Sequence, residues 1–151
     1  MESGDKQESR GKMEVDRSRN DKVRCAVLDT NVLMYIFLEK ADIFNQLREL
    51  GFKKFIVPSL VVRELKNLSI SLTGKERMAA KLALNMVEKY CEIVEIDAIG
   101  TDLALLEAAR RFGCVLITND KKLKKEAKKR GIAIGYLREM KRVEIETDFY
   151  H

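Results

Sequence analysis

The chain has 151 residues, 46% of them hydrophobic and 35% charged, with a formal net charge of +5. That is enough for one domain with a buried core, and no apolar run approaches the roughly 20 residues needed to cross a bilayer. The only histidine is the last residue, His151, which rules out a histidine triad and argues against a histidine-rich metal site.

Positive charge permits an anionic partner such as nucleic acid. The charged residues are mostly Lys, Arg and Glu with almost no Gln, a profile common in heat-adapted proteins. Three cysteines, Cys25, Cys91 and Cys114, sit at wide spacings inside apolar runs. They form no CxxC pair and no even set, so they read as reduced core residues.

Residues 1–21 mix acids and bases with Met13 and Val15 as the bulky apolar positions. They bury too little to offset their ordering entropy, so a disordered, charged tail is expected. The tail has no apolar signal-peptide core, and a cytoplasmic protein is expected. The folded domain is placed at 22–140 and a C-terminal tail at 141–151.

From Val23 onward the texture changes. VRCAVL, KFIV, CEIVEI and CVLIT are short β-branched runs, as in strands covered on both faces, and IAIGYL offers a fifth. Between them lie helical patterns. VLMYIFL is apolar all round, as in a buried helix or an oligomer face. Residues 75–90 align Ala79, Leu82, Ala83, Met86, Val87 and Tyr90, and 101–112 align Leu105, Leu106, Ala109 and Phe112. In 119–130, Leu123 and Ala127 face inward while lysines face out, and Gly113 and Gly131 follow as helix caps. The alternation predicts an α/β three-layer sandwich around a parallel sheet of four or five strands.

Such sheets bind ligands beyond the carboxyl ends of their strands. The first run ends in Asp29-Thr30-Asn31 and the fourth in Thr118-Asn119-Asp120. The third leads to Asp102 at a helix start, and after the second, Pro58-Ser59 opens a helix carrying Glu64. By helical spacing Glu64 shares a stripe with Leu60, Val61 and Leu68, and Asp102 with Leu105, Leu106 and Ala109. Inward carboxylates are rare because desolvating a charge is costly without a partner, and four together repel one another. A divalent cation resolves both problems, and all-oxygen donors suit Mg2+ or Mn2+. Asn31, Thr118 and Asn119 would orient the acids or a water. Lys121, Lys122, Lys124 and Lys125 would face a polyanion such as RNA.

Each feature also has a bland reading. Asp29 and Asp120 fit helix N-caps, and Asp102 fits a helix dipole. Glu64 fits a side chain that snorkels to solvent or pairs with Lys66 or Lys81, and the lysines fit a solvated helix face.

VLDTNVLMYIF, VPSLVVRELKNL and TDLALLEAARRFGCVLITNDKKLKKEAKKRG together resemble a PIN domain over about Val23 to Leu137. The resemblance implies a metal-dependent ribonuclease with Asp29, Glu64, Asp102 and Asp120 as its acidic site, leaving 5′-phosphate and 3′-hydroxyl ends. GIAIGYLREMKRVEI and ELKNL look closest to the branch containing the small-subunit processome endonuclease, which implies a ribosomal RNA precursor as substrate. The alternatives are a ribonuclease toxin, with an antitoxin protein as partner, and a non-catalytic RNA-binding scaffold. PIN domains often form homodimers. A zinc-ribbon relative is disfavoured because no cysteine cluster is present.

Overall fold

The computed structural model describes residues 24–146. The expected disordered tail at 1–21 therefore lies outside the described residues, as does the end of the C-terminal tail.

The first strand, β1 (Arg24–Leu28), leads into helices α1 (Thr30–Leu38) and α2 (Ile43–Glu49). Strand β2 (Phe52–Pro58) is followed by α3 (Ser59–Ser71) and α4 (Gly74–Tyr90), and β3 (Glu92–Val94) by α5 (Thr101–Phe112). Strand β4 (Val115–Ile117), α6 (Lys121–Lys129), β5 (Ile134–Arg138) and β6 (Arg142–Ile145) complete the fold. One six-stranded sheet runs in the order β3-β2-β1-β4-β5-β6. All pairs are parallel except β5–β6.

Helices cover both faces of this sheet. Successive side chains of a strand point to opposite faces, yet Ala26, Val27 and Leu28 are all fully buried, as are Ile56 and Val57. The helical stripes meet these faces as their spacing predicts: α4 buries Ala79, Ala83 and Val87, and α6 buries Leu123 and Ala127. In α5, Leu105, Leu106 and Ala109 are buried but Phe112, expected on the same stripe, is 39% exposed. Helix α5 ends on Gly113 at φ 66, a left-handed cap that glycine adopts without the steric penalty of a Cβ. The apolar segment VLMYIFL forms most of α1, burying Val32, Leu33 and Met34.

Three expectations are corrected. The stretch 141–151, read as a tail, contributes β6, which pairs antiparallel with β5 through a three-residue turn, Glu139 to Lys141, with positive φ at Glu139 and Met140. The sheet therefore has six strands and is mixed, not wholly parallel. Cys25 and Cys114 are joined in a disulfide, not reduced. They are brought together because β1 and β4 are neighbours, with Ala26 opposite Val115 one residue further on. Cys91 alone is free, and burial pushes its thiol pKa up to about 12.

Candidate active site at the switch between β1 and β4

The chain builds one half of the sheet from β1 outward through β2 and β3, then returns to place β4 on the other side of β1. The carboxyl ends of β1 and β4 thus flank the reversal of strand order, where open α/β sheets form a crevice. Asp29 follows β1 directly, and its amide donates to the Ile117 carbonyl at 3.2 Å, extending the ladder one rung past the strand.

Both oxygens of the Asp29 carboxylate are held. Oδ1 accepts the Thr30 amide at 2.6 Å, and Oδ2 accepts the Thr118 hydroxyl at 2.6 Å. Asp29 is 8% exposed and Thr118 fully buried. Burial raises the Asp29 pKa above its ordinary value. The Thr118 and Thr30 hydrogen bonds oppose that rise, and the nearby charges of Asp102 and Glu64 add to it.

Glu64 lies half-buried on α3, between the buried Val61 and Leu65. Its Oε1 accepts the Thr30 hydroxyl at 2.7 Å. Neither Lys66 nor Lys81 pairs with it among the described residues. Asp102 departs from the inward stripe assigned to it. It is exposed in the first turn of α5. Its carboxyl is nevertheless raised, first by partial desolvation, then by the charges of Asp120 and Glu64. Asp120 is exposed too: Oδ1 caps α6 by accepting the Leu123 amide at 3.0 Å, and its own amide donates to Thr118 Oγ1 at 3.1 Å.

A continuous run of hydrogen bonds therefore links Glu64 through Thr30, Asp29 and Thr118 to Asp120. Every donor in it is neutral. Among the described residues no Lys or Arg forms an ion pair with any of the four acids. Glu64 Oε2, Asp120 Oδ2 and both oxygens of Asp102 accept no hydrogen bond from a described residue. Mutually repelling acids, organised by neutral donors with oxygens to spare, suit a hard divalent cation. As the side chains stand, no three Asp, Glu, His or Cys groups among the described residues close on a single point. The inner pair, Asp29 and Glu64, is fixed; the outer pair, Asp102 and Asp120, is solvent-exposed. A separate cavity of about 620 Å³ beyond the end of α1, lined by Phe37, Phe44, Met86 and Tyr90 among others, includes none of the four acids.

The supporting residues divide. Thr118 holds an acid. Asn119 does not: its amide exchanges two hydrogen bonds with the Leu137 backbone on β5, at 3.0 and 2.7 Å, and so fastens the β4 end to the next strand. Asn31 is exposed and makes no side-chain hydrogen bond among the described residues. Lys121, Lys122 and Lys125 are exposed beside Asp120, whereas Lys124 lies over the Tyr136 ring at 4.7 Å, half-buried. Thr30 was not among the expected residues. The one sequence signal for it is its place as first helical residue after a capping acid.

A mostly parallel sheet with this order, carrying acids at its switch point, is the arrangement of a PIN-like domain. The chain belongs to that family: the PIN like domain profile matches residues 26–140. It is 58% identical over 134 residues to Ribonuclease VapC9 of Archaeoglobus fulgidus, covering 89% of this chain and 98% of that protein. Ribonuclease VapC4 of Methanocaldococcus jannaschii is 34% identical over 124 residues, covering 79% and 94% respectively. Among solved structures, the PIN domain endonuclease Utp24 has the same fold, with a TM-score of 0.66 at 23% identity over 81% of this chain and 90% of that one.

Proposed function

We propose that this protein is a divalent-cation-dependent endoribonuclease acting as the toxin of a toxin–antitoxin pair. The observation that carries the nuclease reading is the unneutralised acid group at the switch point: burial raises the Asp29 pKa, the charges of Asp102 and Glu64 add to the rise, and no described Lys or Arg forms an ion pair with it.

Asp29, Glu64, Asp102 and Asp120 are the residues that would hold Mg2+ or Mn2+. When bound, such an ion acidifies water and offsets charge on a phosphoryl group. Thr118 holds Asp29 through Oδ2, and the Leu123 amide of α6 holds Asp120 through Oδ1. Exposed Lys121, Lys122 and Lys125 offer positive charge to the RNA backbone next to the acids.

The sequence motifs taken alone favour ribosomal RNA processing. The toxin reading is better supported, because the relative at 58% identity over nearly its whole length is a VapC ribonuclease. The likeness to Utp24, at 23% identity, is one of fold.

Two measurements test the proposal. The purified protein should cleave RNA with added Mn2+ and lose cleavage in Asp29→Asn. Expressed alone it should arrest growth, and co-expression of a small neighbouring gene should relieve the arrest. Cleavage without growth arrest would return the processing role to favour. Full cleavage by Asp29→Asn would remove the catalytic reading and leave an RNA-binding scaffold.

A further inference from the structure

We propose that Thr30 is a positioning residue that sets the geometry of the acidic site by anchoring Glu64. The proposal rests on the nuclease reading above and extends it to a residue that is neither acidic nor itself a cation ligand.

Thr30 is 4% exposed and occupies the first position of α1. It serves two acids at once: its amide donates to Asp29 Oδ1 at 2.6 Å and its hydroxyl to Glu64 Oε1 at 2.7 Å. Asp29 is its chain neighbour, but Glu64 lies 34 positions away on a helix that follows a different strand. One residue therefore fixes the spacing between the acid from β1 and the acid from α3.

The chemistry of the donor matters. A glutamate side chain has three rotatable bonds and loses much conformational freedom when held, and a half-buried carboxylate without an anchor turns toward water. Lys or Arg at position 30 would anchor it and also cancel the negative charge that attracts a cation. A threonine hydroxyl supplies a single proton and no net charge. It engages Oε1, while Oε2 has no partner among the described residues. A threonine inside a helix can turn its hydroxyl back to a carbonyl of the preceding turn; Thr30, as the first helical residue, has no such turn before it, and its hydroxyl is given to Glu64. Thr118 does the same for Asp29 from β4, so each acid of the inner pair is oriented by a buried neutral hydroxyl.

Thr30→Val keeps the volume and β-branch and removes the hydroxyl. Calorimetric titration of the full chain with Mn2+ should show affinity reduced about tenfold or more, the range for removing an outer-shell partner of a ligand. The KM for RNA should be unchanged while cleavage at subsaturating Mn2+ falls. Thr30→Ser should restore wild-type affinity. The decisive arm is the pair with Glu64→Gln. If Thr30 acts through Glu64, adding Thr30→Val to Glu64→Gln should weaken Mn2+ binding no further; additive losses would mean general destabilisation and overturn the proposal. Equal Mn2+ affinity in wild type and folded Thr30→Val would also overturn it. Should Thr30→Val not fold, Thr30→Ala takes its place and the Ser variant keeps the test open, because failed rescue by Ser refutes a hydroxyl role. Absence of Mn2+ uptake by the wild type would instead refute the nuclease reading beneath it.

Discussion

Asp29 and Thr118 meet at 2.6 Å across the β1–β4 pair, 89 residues apart in the chain. The same separation joins Cys25 to Cys114 at the other end of that pair, and Ala26, Val27 and Leu28 face Val115, Leu116 and Ile117 in between. A disulfide and a hydrogen bond to a carboxylate are thus the two end rungs of one unbroken register. The register decides the chemistry: slipping it by one residue would turn Thr118 to the opposite face and leave Asp29 buried without its donor.

Replacing Asp29 with Asn should reduce cation-dependent cleavage by at least about 100-fold, as for loss of a group that holds the ion, while leaving the helix cap intact because Asn caps as well as Asp. Without cation the variant should be the more stable protein at neutral pH. Burial is the main cause of the raised Asp29 pKa, so the folded state binds this proton more tightly than the unfolded chain. The resulting penalty is absent below the unfolded value of 3.8, grows as pH rises through the folded value, and is complete above it. Asp102 is raised in the same direction. Thermal melts of both proteins in chelator should therefore show a gap that opens with rising pH and closes near pH 4. A wild type equal or superior in stability at neutral pH would contradict this account of the buried carboxylate.

The basic helix should act through some lysines and not others. Replacing exposed Lys121, Lys122 and Lys125 together with Ala should weaken RNA binding and flatten its dependence on salt by up to about 2 in log–log slope, at roughly 0.7 per phosphate contact on a single strand. Lys128 is paired with Glu146 and Lys124 rests on Tyr136, so the Lys124→Ala and Lys128→Ala single variants should change the slope least. Filter binding across a salt series checks this. A larger effect from Lys124 or Lys128 than from the exposed set would place the RNA elsewhere.

What the sequence reveals of this protein follows from what is local. Strands such as VRCAVL and CVLIT are legible because burial on both faces makes them short continuous apolar runs, and the stripes of α4 and α6 because burial of one face imposes a helical period. Glu64 is legible for the same reason, as an acid among apolar neighbours on α3. Helix α2 escapes notice at seven residues, with Ile43, Phe44 and Leu47 giving too short a period to stand out. The β5–β6 hairpin escapes because Glu139 and Met140 hold φ of 53° and 60° without the Asn-Gly signal such turns favour. The contact of Thr30 with Glu64 and the disulfide are invisible because the partners are 34 and 89 positions away and announce themselves by no spacing rule. Asp102 misleads in the opposite way: its spacing matches the buried stripe of Leu105, Leu106 and Ala109, yet in the first turn of α5 it is exposed.

Reduction should destabilise the protein without touching the acids directly. Closing a loop of 89 residues is worth about 4–5 kcal/mol by chain entropy, a fall in melting temperature on the order of 10 °C for a domain of this size. Melts with and without a phosphine reductant should differ by about that amount, and a Cys25→Ala, Cys114→Ala double variant should lose the difference. Under denaturing, non-reducing conditions a thiol reagent should titrate one cysteine, Cys91. Three reactive thiols in the purified protein would refute the crosslink.

Gly135 should tolerate no side chain. It sits in β5 facing Ile117 on β4 and Ile145 on β6, and a methyl group there would lie 2.8 Å from Ile145 Cδ1, 2.9 Å from the Glu144 carbonyl and 2.9 Å from Ile117 Cδ1. The isoleucine tips can rotate, but the carbonyl belongs to the sheet and can yield only by parting β5 from β6. Overpacking of this kind costs about 1–3 kcal/mol, so Gly135→Ala should lower the unfolding midpoint in urea. The strain also has a direction. Ile117 precedes Thr118, and Leu137, two residues beyond Gly135, holds Asn119; pushing β5 away pulls on the segment that carries Asp120. Gly135→Ala should accordingly weaken Mn2+ uptake more than a core truncation of equal stability cost far from β4, such as Val87→Ala on α4. Equal Mn2+ affinity in the two variants at matched stability would show that β5 packs the sheet without positioning the site.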